Sequence, residues 1–179
     1  AEFEHNLIRD RTVAGLADVA DLVIERLLAF ALRDLALQHG KLAGLASGSG
    51  IAVIGYGSLG GRELSFSSDL DLVFIYDDAL QNEESDGARP LDGQRYLARA
   101  AQRLLHMLTV QTAFGPMYDI DARLRPNGSK GLLVTPLSAY GSYQCNEAWL
   151  WEHQALVRAR LVAGDATLGA QFDELRRAV

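Results

Sequence analysis

Residues 51–78 read IAVIGYGSLGGRELSFSSDLDLVFIYDD, and the parsing of this stretch decides the fold. Ile51–Ile54 is one short apolar run and Leu70–Tyr76 a second. Apolar runs of this length bounded by Gly and Ser read as buried strands. Between them lie a glycine loop, Gly55 to Gly61, and a polar turn, Ser65 to Ser68. Gly55, Gly57 and Gly60 match G-x-G-x-x-G, the dinucleotide fingerprint, and Asp77 stands where its acid would. That fingerprint needs a strand, a crossover helix and a parallel second strand. A parallel crossover takes a dozen or more residues, usually helical. Only Gly61 to Ser68 is available, with no amphipathic repeat, so the dinucleotide reading fails on length.

The carboxylates offer a second reading. Side chains alternate along a strand, so Asp69 and Asp71 share one face. Leu70, Leu72, Phe74 and Tyr76 turn the other way, into a core. Two adjacent acids repel each other unless a cation lies between them. Mg²⁺ takes oxygen ligands, commonly one or two carboxylates together with substrate phosphates. A solvated strand end would carry the same D-x-D without a metal, since Asp is common in turns. Further on, Met117–Leu124 alternates as well, with Asp119, Asp121 and Arg123 on one face. Acids on the open face of a half-buried strand suit a cationic ligand. A third carboxylate is also what a two-metal site requires. Spacing leaves Asp119 and Asp121 as alternatives. Arg123 shares their face and could neutralise the acids or grip a phosphate oxygen bidentately. Arg125 and Lys130, around the Pro126-Asn127-Gly128 turn, are further phosphate candidates.

The combination is more specific than its parts. Gly57-Ser58, followed after ten residues by Asp69-Leu70-Asp71-Leu72, resembles the signature of the polymerase-beta-like nucleotidyltransferase superfamily. More narrowly, GYGSLGGRELSFSSDLDLVF, the D-A-R-L-R-P from Asp121 and the W-E-H-Q-A-L-V-R-A-R from Trp151 resemble glutamine synthetase adenylyltransferases. Those are large bacterial enzymes with two related catalytic halves, one attaching AMP and one removing it by phosphorolysis. The resemblance covers about Ile51 to Asp165 and implies an α/β (α+β) nucleotidyltransferase fold, a small mixed sheet flanked by helices. It implies that Gly57 and Ser58 hold nucleotide phosphates, that Asp69 and Asp71 bind Mg²⁺, and that Asp121 completes the catalytic site. Because D-x-R-L-R-P recurs in the family and begins here at Asp121, it favours Asp121 over Asp119. It implies ATP and Mg²⁺ as substrate and cofactor, a glutamine synthetase tyrosine as AMP acceptor, and the PII signal protein as a partner of the full-length enzyme. The W-E-H-Q segment is closer to the AMP-attaching half. The AMP-removing half, giving ADP, is the alternative, and a non-catalytic nucleotide-binding module the second. Ser58 stands where the family often has Lys, and matches the wider superfamily.

The rest of the chain sets boundaries. Its 179 residues suit one domain, divided as a covering segment over 1–45, a catalytic core over 46–165 and the start of a helical extension over 166–179. A net charge of −6 argues against a nucleic-acid binder, whose footprint is basic. No apolar run reaches membrane-spanning length, and the start lacks the features of a signal peptide. The single Cys145 excludes an internal disulfide, reads as a partly buried filler and suits the cytoplasm. Residues 1–15 read as polar and irregular. A helix follows over Ala17–Gln38, with Ala20, Ile24, Leu27, Leu28, Ala31 and Leu35 as its stripe, His39 as a cap and Gly40 as its stop. Ala46–Gly50 reads as a connector and residues 77–94 as a mobile surface loop. A second helix is expected over Gln94–Thr112, with Arg95, Arg99 and Arg103 on its outer face. A short strand at Gly131–Thr135 and a short helix or turn at Pro136–Gln144 come next. A helix is then expected from Asn146, as its N-cap, to Val162, with Trp149 and Trp151 in the core, and a last one from Ala166.

Overall fold

The computed structural model describes residues 2–43, 50–113 and 115–179. In chain order the elements are α1 (Glu2–His39), β1 (Ile51–Gly55), α2 (Gly57–Gly60), β2 (Leu70–Tyr76), α3 (Gly93–Leu108), β3 (Gln111–Thr112), β4 (Gly115–Pro116), β5 (Ile120–Asp121), β6 (Val134–Pro136), α4 (Leu137–Asn146), α5 (Leu150–Leu156), β7 (Arg160–Gly164) and α6 (Ala166–Ala178).

The two apolar runs form an antiparallel pair, with Ile51 opposite Tyr76 and Gly55 opposite Leu72. This pairing agrees with the rejection of a dinucleotide crossover, because the glycine loop becomes a single helical turn instead. β2 lies at the centre. Along its other edge run two short parallel strands, β5 beside Leu70–Asp71 and β6 beside Phe74–Tyr76. Helix α3 supplies the crossover that parallel pairing needs. β7 closes the far side, antiparallel to β1, and the result is a small mixed sheet flanked by helices.

Both faces of β1 and β2 are covered, which explains why their sequences are unbroken apolar runs. Ile51, Val53, Leu70, Leu72, Phe74 and Tyr76 pack against α1 and α3. Ala52, Ile54, Val73 and Ile75 pack on the opposite face with Tyr140, Leu156 and Phe172 from α4, α5 and α6. The expected α1 stripe is buried at Ala20, Ile24, Leu28, Ala31 and Leu35 and half-buried at Leu27. Two arginines of α3 meet α1, while Arg95 pairs with Asp92 just before its own helix at 3.2 Å. Arg103 pairs with Asp34 at 2.9 Å. Arg99 donates to His39 Nε2 at 3.1 Å, which leaves Nδ1 to donate to the Arg89 carbonyl at 2.8 Å. His39 thus bridges three segments and does not serve as a terminal cap.

Several local expectations are corrected. Residues 2–15 are helical, continuous with α1; they contain no Pro, and the first Gly is Gly15, so nothing in them breaks the helix. The strand expected over Met117–Leu124 shrinks to Ile120–Asp121. Asn146 ends α4, its side chain donating to the Ser142 carbonyl at 2.8 Å, and is not an N-cap. The helix expected to reach Val162 stops at Leu156, and the chain then turns into β7. Cys145 is exposed. Trp149 and Trp151 are 71% and 56% exposed and lie outside the core. The connector read at Ala46–Gly50 lies outside the described residues up to Ser49. Among the described residues, no helix is long and apolar enough to cross a membrane.

Candidate active site

The candidate acids come from the two strands that β2 brings side by side. Asp71 is the second residue of β2, and its partner in the parallel register is Asp121 of β5. Register partners point to the same face of a sheet. Asp69 is exposed, one residue before β2. Asp71 is half-buried, and burial pushes its carboxyl up from the usual range, helped by the charges of Asp121 and Asp69 and opposed by Arg123. Asp121 moves the other way. Arg123 Nε donates to both its oxygens, at 2.9 and 3.0 Å, and the Arg123 amide adds a third bond at 2.8 Å, which holds Asp121 below the usual carboxylate range. Asp119 faces elsewhere: it is exposed and lines a separate groove with Ser65 and Met117. The fold therefore brings Asp121, and not Asp119, to Asp71.

The glycine turn abuts this pair. The Tyr56 amide donates to the Asp71 carbonyl at 2.9 Å. Gly57 follows with φ +54°, and any Cβ there would run into the Asp71 carboxylate. Only glycine combines that left-handed backbone with that closeness. Ser58 is next, half-buried at the start of α2, where first-turn amides have no partner within the helix.

Two devices fix the turn. Below it, the Tyr56 hydroxyl bonds the Tyr140 hydroxyl, which also accepts from Gln144 Nε2 at 3.0 Å. Beside it, Arg160 of β7 donates to the Leu59 and Gly60 carbonyls at 3.0 and 3.2 Å, and bidentately to Asp21 of α1 at 2.7 and 2.9 Å. Reading the sequence by element did not single out Arg160 as part of the site. Its only signal was membership of the R-A-R end of the W-E-H-Q motif.

Between β5 and β6 the chain leaves the sheet edge over residues 122–133, and this excursion carries the remaining cations. Arg123 sits on Asp121 and is 75% exposed. Arg125 is turned inward: its guanidinium donates to the Ala122 carbonyl and, at 3.4 Å, to that of Gly131, so it braces the excursion. Lys130 is exposed at the end of a short 3-10 turn, Gly128–Lys130.

Among the described residues, no three His, Cys, Asp or Glu side chains converge as a ready-made metal cage. That arrangement still fits Mg²⁺, which usually binds through one or two carboxylates plus substrate phosphates and not in an all-protein cage. The donors are hard oxygens, and the crowding of Asp69 and Asp121 that adds to burial in raising the Asp71 carboxyl is what a divalent cation relieves.

Comparison with known proteins adds ancestry to this geometry. The sequence profile of the glutamate-ammonia ligase adenylyltransferase family matches residues 5–175. The chain belongs to that family. A bifunctional glutamine synthetase adenylyltransferase/adenylyl-removing enzyme of Xanthomonas campestris pv. campestris is 53% identical over 162 residues, 90% of this chain and 17% of the relative. The protein of the same name from Stenotrophomonas maltophilia is 53% identical over 161 residues, again 90% and 17%. That of Nitrosococcus oceani is 48% identical over 168 residues, 92% and 17%. The chain thus spans about one sixth of the length of the curated adenylyltransferases it matches.

Proposed function

We propose that this adenylyltransferase-family chain is a magnesium-dependent nucleotidyltransferase core that moves AMP from ATP to a tyrosine of glutamine synthetase and releases pyrophosphate. The observation that carries the reading is the register of Asp71 with Asp121 beside Gly57. In this reading Gly57, Ser58 and the adjoining amides hold the β- and γ-phosphates, as glycine turns do for anions. Asp69, Asp71 and Asp121 would hold magnesium, whose charge favours both the attacking and the leaving oxygen when it is bound. The tyrosine oxygen forms a bond to the α-phosphorus, the bond from that phosphorus to the bridging oxygen breaks, and pyrophosphate departs with the electron pair. Asp121 accepts the tyrosine proton. Arg123 now occupies both Asp121 oxygens, so an incoming phosphate that draws the exposed guanidinium to itself frees the carboxylate for that task. The adenylylating direction rests on the W-E-H-Q-A-L-V-R-A-R segment. The same family makes glutamine synthetase the protein partner in this proposal, with the PII signal protein as a partner of the full-length enzyme.

The test is incubation with α-labelled ATP, Mg²⁺ and unmodified glutamine synthetase, beside the Asp69→Ala/Asp71→Ala variant. Label should appear on glutamine synthetase and vanish in the variant. In a parallel incubation with adenylylated glutamine synthetase and inorganic phosphate, release of the AMP as ADP, with no labelling of the unmodified protein, would assign the removing direction instead. Transfer undiminished in the variant would overturn the metal-site assignment.

A further inference from the structure

We infer that the groove beside the acid pair seats the adenine of ATP, with Trp149 and Trp151 as its stacking wall. The inference rests on the nucleotidyl-transfer reading above and supplies the base subsite that reading leaves open. Tryptophan is among the most buried side chains on average, yet these two are 71% and 56% exposed. Both line one groove of about 490 Å³, within the range of roughly 300–1,000 Å³ typical of small-molecule clefts. The groove is also lined by Arg123, Arg125 and Lys130 from the 122–133 excursion. Arg123 lines it while its guanidinium holds Asp121, so one side chain links the groove to the acid pair.

The aromatic wall is held in place. Glu152, only 7% exposed, accepts from the Tyr143 hydroxyl at 2.8 Å and from the Trp149 amide at 2.9 Å. The same carboxylate therefore ties α4 to the start of α5 and fixes the backbone that presents both indoles. Its charge is satisfied by these bonds, and Glu147 remains at the groove as an acceptor for an exocyclic amine. An occupant that is anionic at one end and flat and aromatic at the other fits this lining. ATP with its phosphates at Gly57 and Ser58 and its α-phosphorus at the acids extends its base into the groove. An aromatic side chain of the acceptor protein could use the same wall, but it brings no anion to the exposed Arg123 and Lys130.

The experiment compares the full-length protein with Trp149→Ala, Trp151→Ala and the double variant, in Mg²⁺. Equilibrium affinities for ATP and for inorganic tripolyphosphate are measured, with KM for the acceptor protein. Stacking on an aromatic side chain contributes enough that the double variant should lose about tenfold or more in ATP affinity. Tripolyphosphate, which has no base, should bind as before, and Trp→Phe should restore most of the loss. Unchanged ATP affinity overturns the inference, as do equal losses for both ligands. A raised KM for the acceptor protein with ATP affinity intact also overturns it and gives the wall to the protein substrate. If the unmodified protein binds neither ligand, the nucleotide reading itself falls, and this subsite falls with it.

Discussion

Replacing Gly57 by Ala measures how closely the glycine turn approaches the acid. Gly57 and Gly128 share the same φ, +54°, so each substitution forces a side chain into the left-handed region. Their surroundings differ. A Cβ on Gly128 meets only the Arg123 carbonyl oxygen at 3.8 Å, an ordinary contact, whereas one on Gly57 meets the Asp71 carboxylate head on. Gly128→Ala therefore reports the backbone cost alone, about 1–2 kcal/mol. Gly57→Ala adds the displacement of a half-buried side chain anchored in the central strand, about 1–3 kcal/mol more by analogy with overpacking. For a chain of this size each kcal/mol moves Tm by about 2–4 °C, so Gly57→Ala should melt several degrees below Gly128→Ala. Urea and thermal unfolding of both variants give the difference. In an Asp71→Ala background the obstacle is gone, and the extra cost of Gly57→Ala should fall to the Gly128→Ala level, a coupling of about 1–3 kcal/mol. Equal costs for the two glycine variants, or a Gly57→Ala penalty undiminished without the Asp71 side chain, would refute the claim that the missing Cβ makes room for the carboxylate.

Asp71→Asn should abolish transfer yet stabilise the fold at neutral pH. The Asp71 carboxyl is raised in the folded state, so the folded protein holds that proton more tightly than the unfolded one; the benefit is full below the ordinary carboxylate range and is lost as pH rises through the raised value. Urea midpoints should thus separate in favour of the variant between about pH 4 and neutrality, and a variant less stable than the parent at neutral pH would contradict the cause given for the shift. Asp121 is lowered, so its contribution is present above the ordinary range and lost as pH falls; Asp121→Asn should cost stability at neutral pH, with the penalty shrinking in acid, as pH-dependent unfolding will show. Arg160→Lys keeps the charge but not the fork, and should raise the KM for ATP with a smaller effect on kcat. A double-mutant cycle with Asp21→Asn should give a coupling on the order of 1 kcal/mol, and additivity would dissolve the clamp. Cys145 should react with maleimide in the folded protein about as fast as a free peptide thiol, and a protected thiol would contradict its exposure.

What could be read from the sequence follows from how local each signal is. β1 and β2 were legible because burial on both faces leaves an unbroken apolar run, and the failure of the dinucleotide reading needed only a count of residues from Gly61 to Ser68. The pairing of Asp71 with Asp121 was not legible from spacing, because a strand of two residues carries no periodicity and the choice depends on register across a crossover helix. The family motif supplied that choice. Residues 157–164 misled for a related reason: Leu156, Val157 and Ala159 suit a helix locally, but the open edge of β1 pairs with Arg160–Gly164 and tertiary pairing overrides the local pattern. The tryptophans misled because helical spacing of aromatics usually marks a core, and exposure is a property of neighbours, which spacing does not report.

The same reasoning explains why Arg160 escaped notice while Gly57 did not. A glycine in a tight turn announces itself by composition, since few other residues tolerate that backbone. An arginine acquires its role only when the fold delivers its partners, and apart from the neighbouring Leu161 carbonyl those of Arg160 are 100 or more positions away: 100 to Gly60, 101 to Leu59 and 139 to Asp21. With its ion pair about four-fifths buried on both sides, the guanidinium cannot let go of Asp21 and stay solvated, so α1, β7 and the α2 carbonyls are held as one unit. The glycine turn is thereby fixed against movement at its C-terminal end by Arg160 and at its N-terminal end by the Tyr56 amide on Asp71. A turn pinned at both ends holds its free amides in a fixed arrangement. That preorganisation depends on an aspartate in the N-terminal helix that no motif contains, so changes along α1 reach the candidate site without touching any residue that resembles a catalyst.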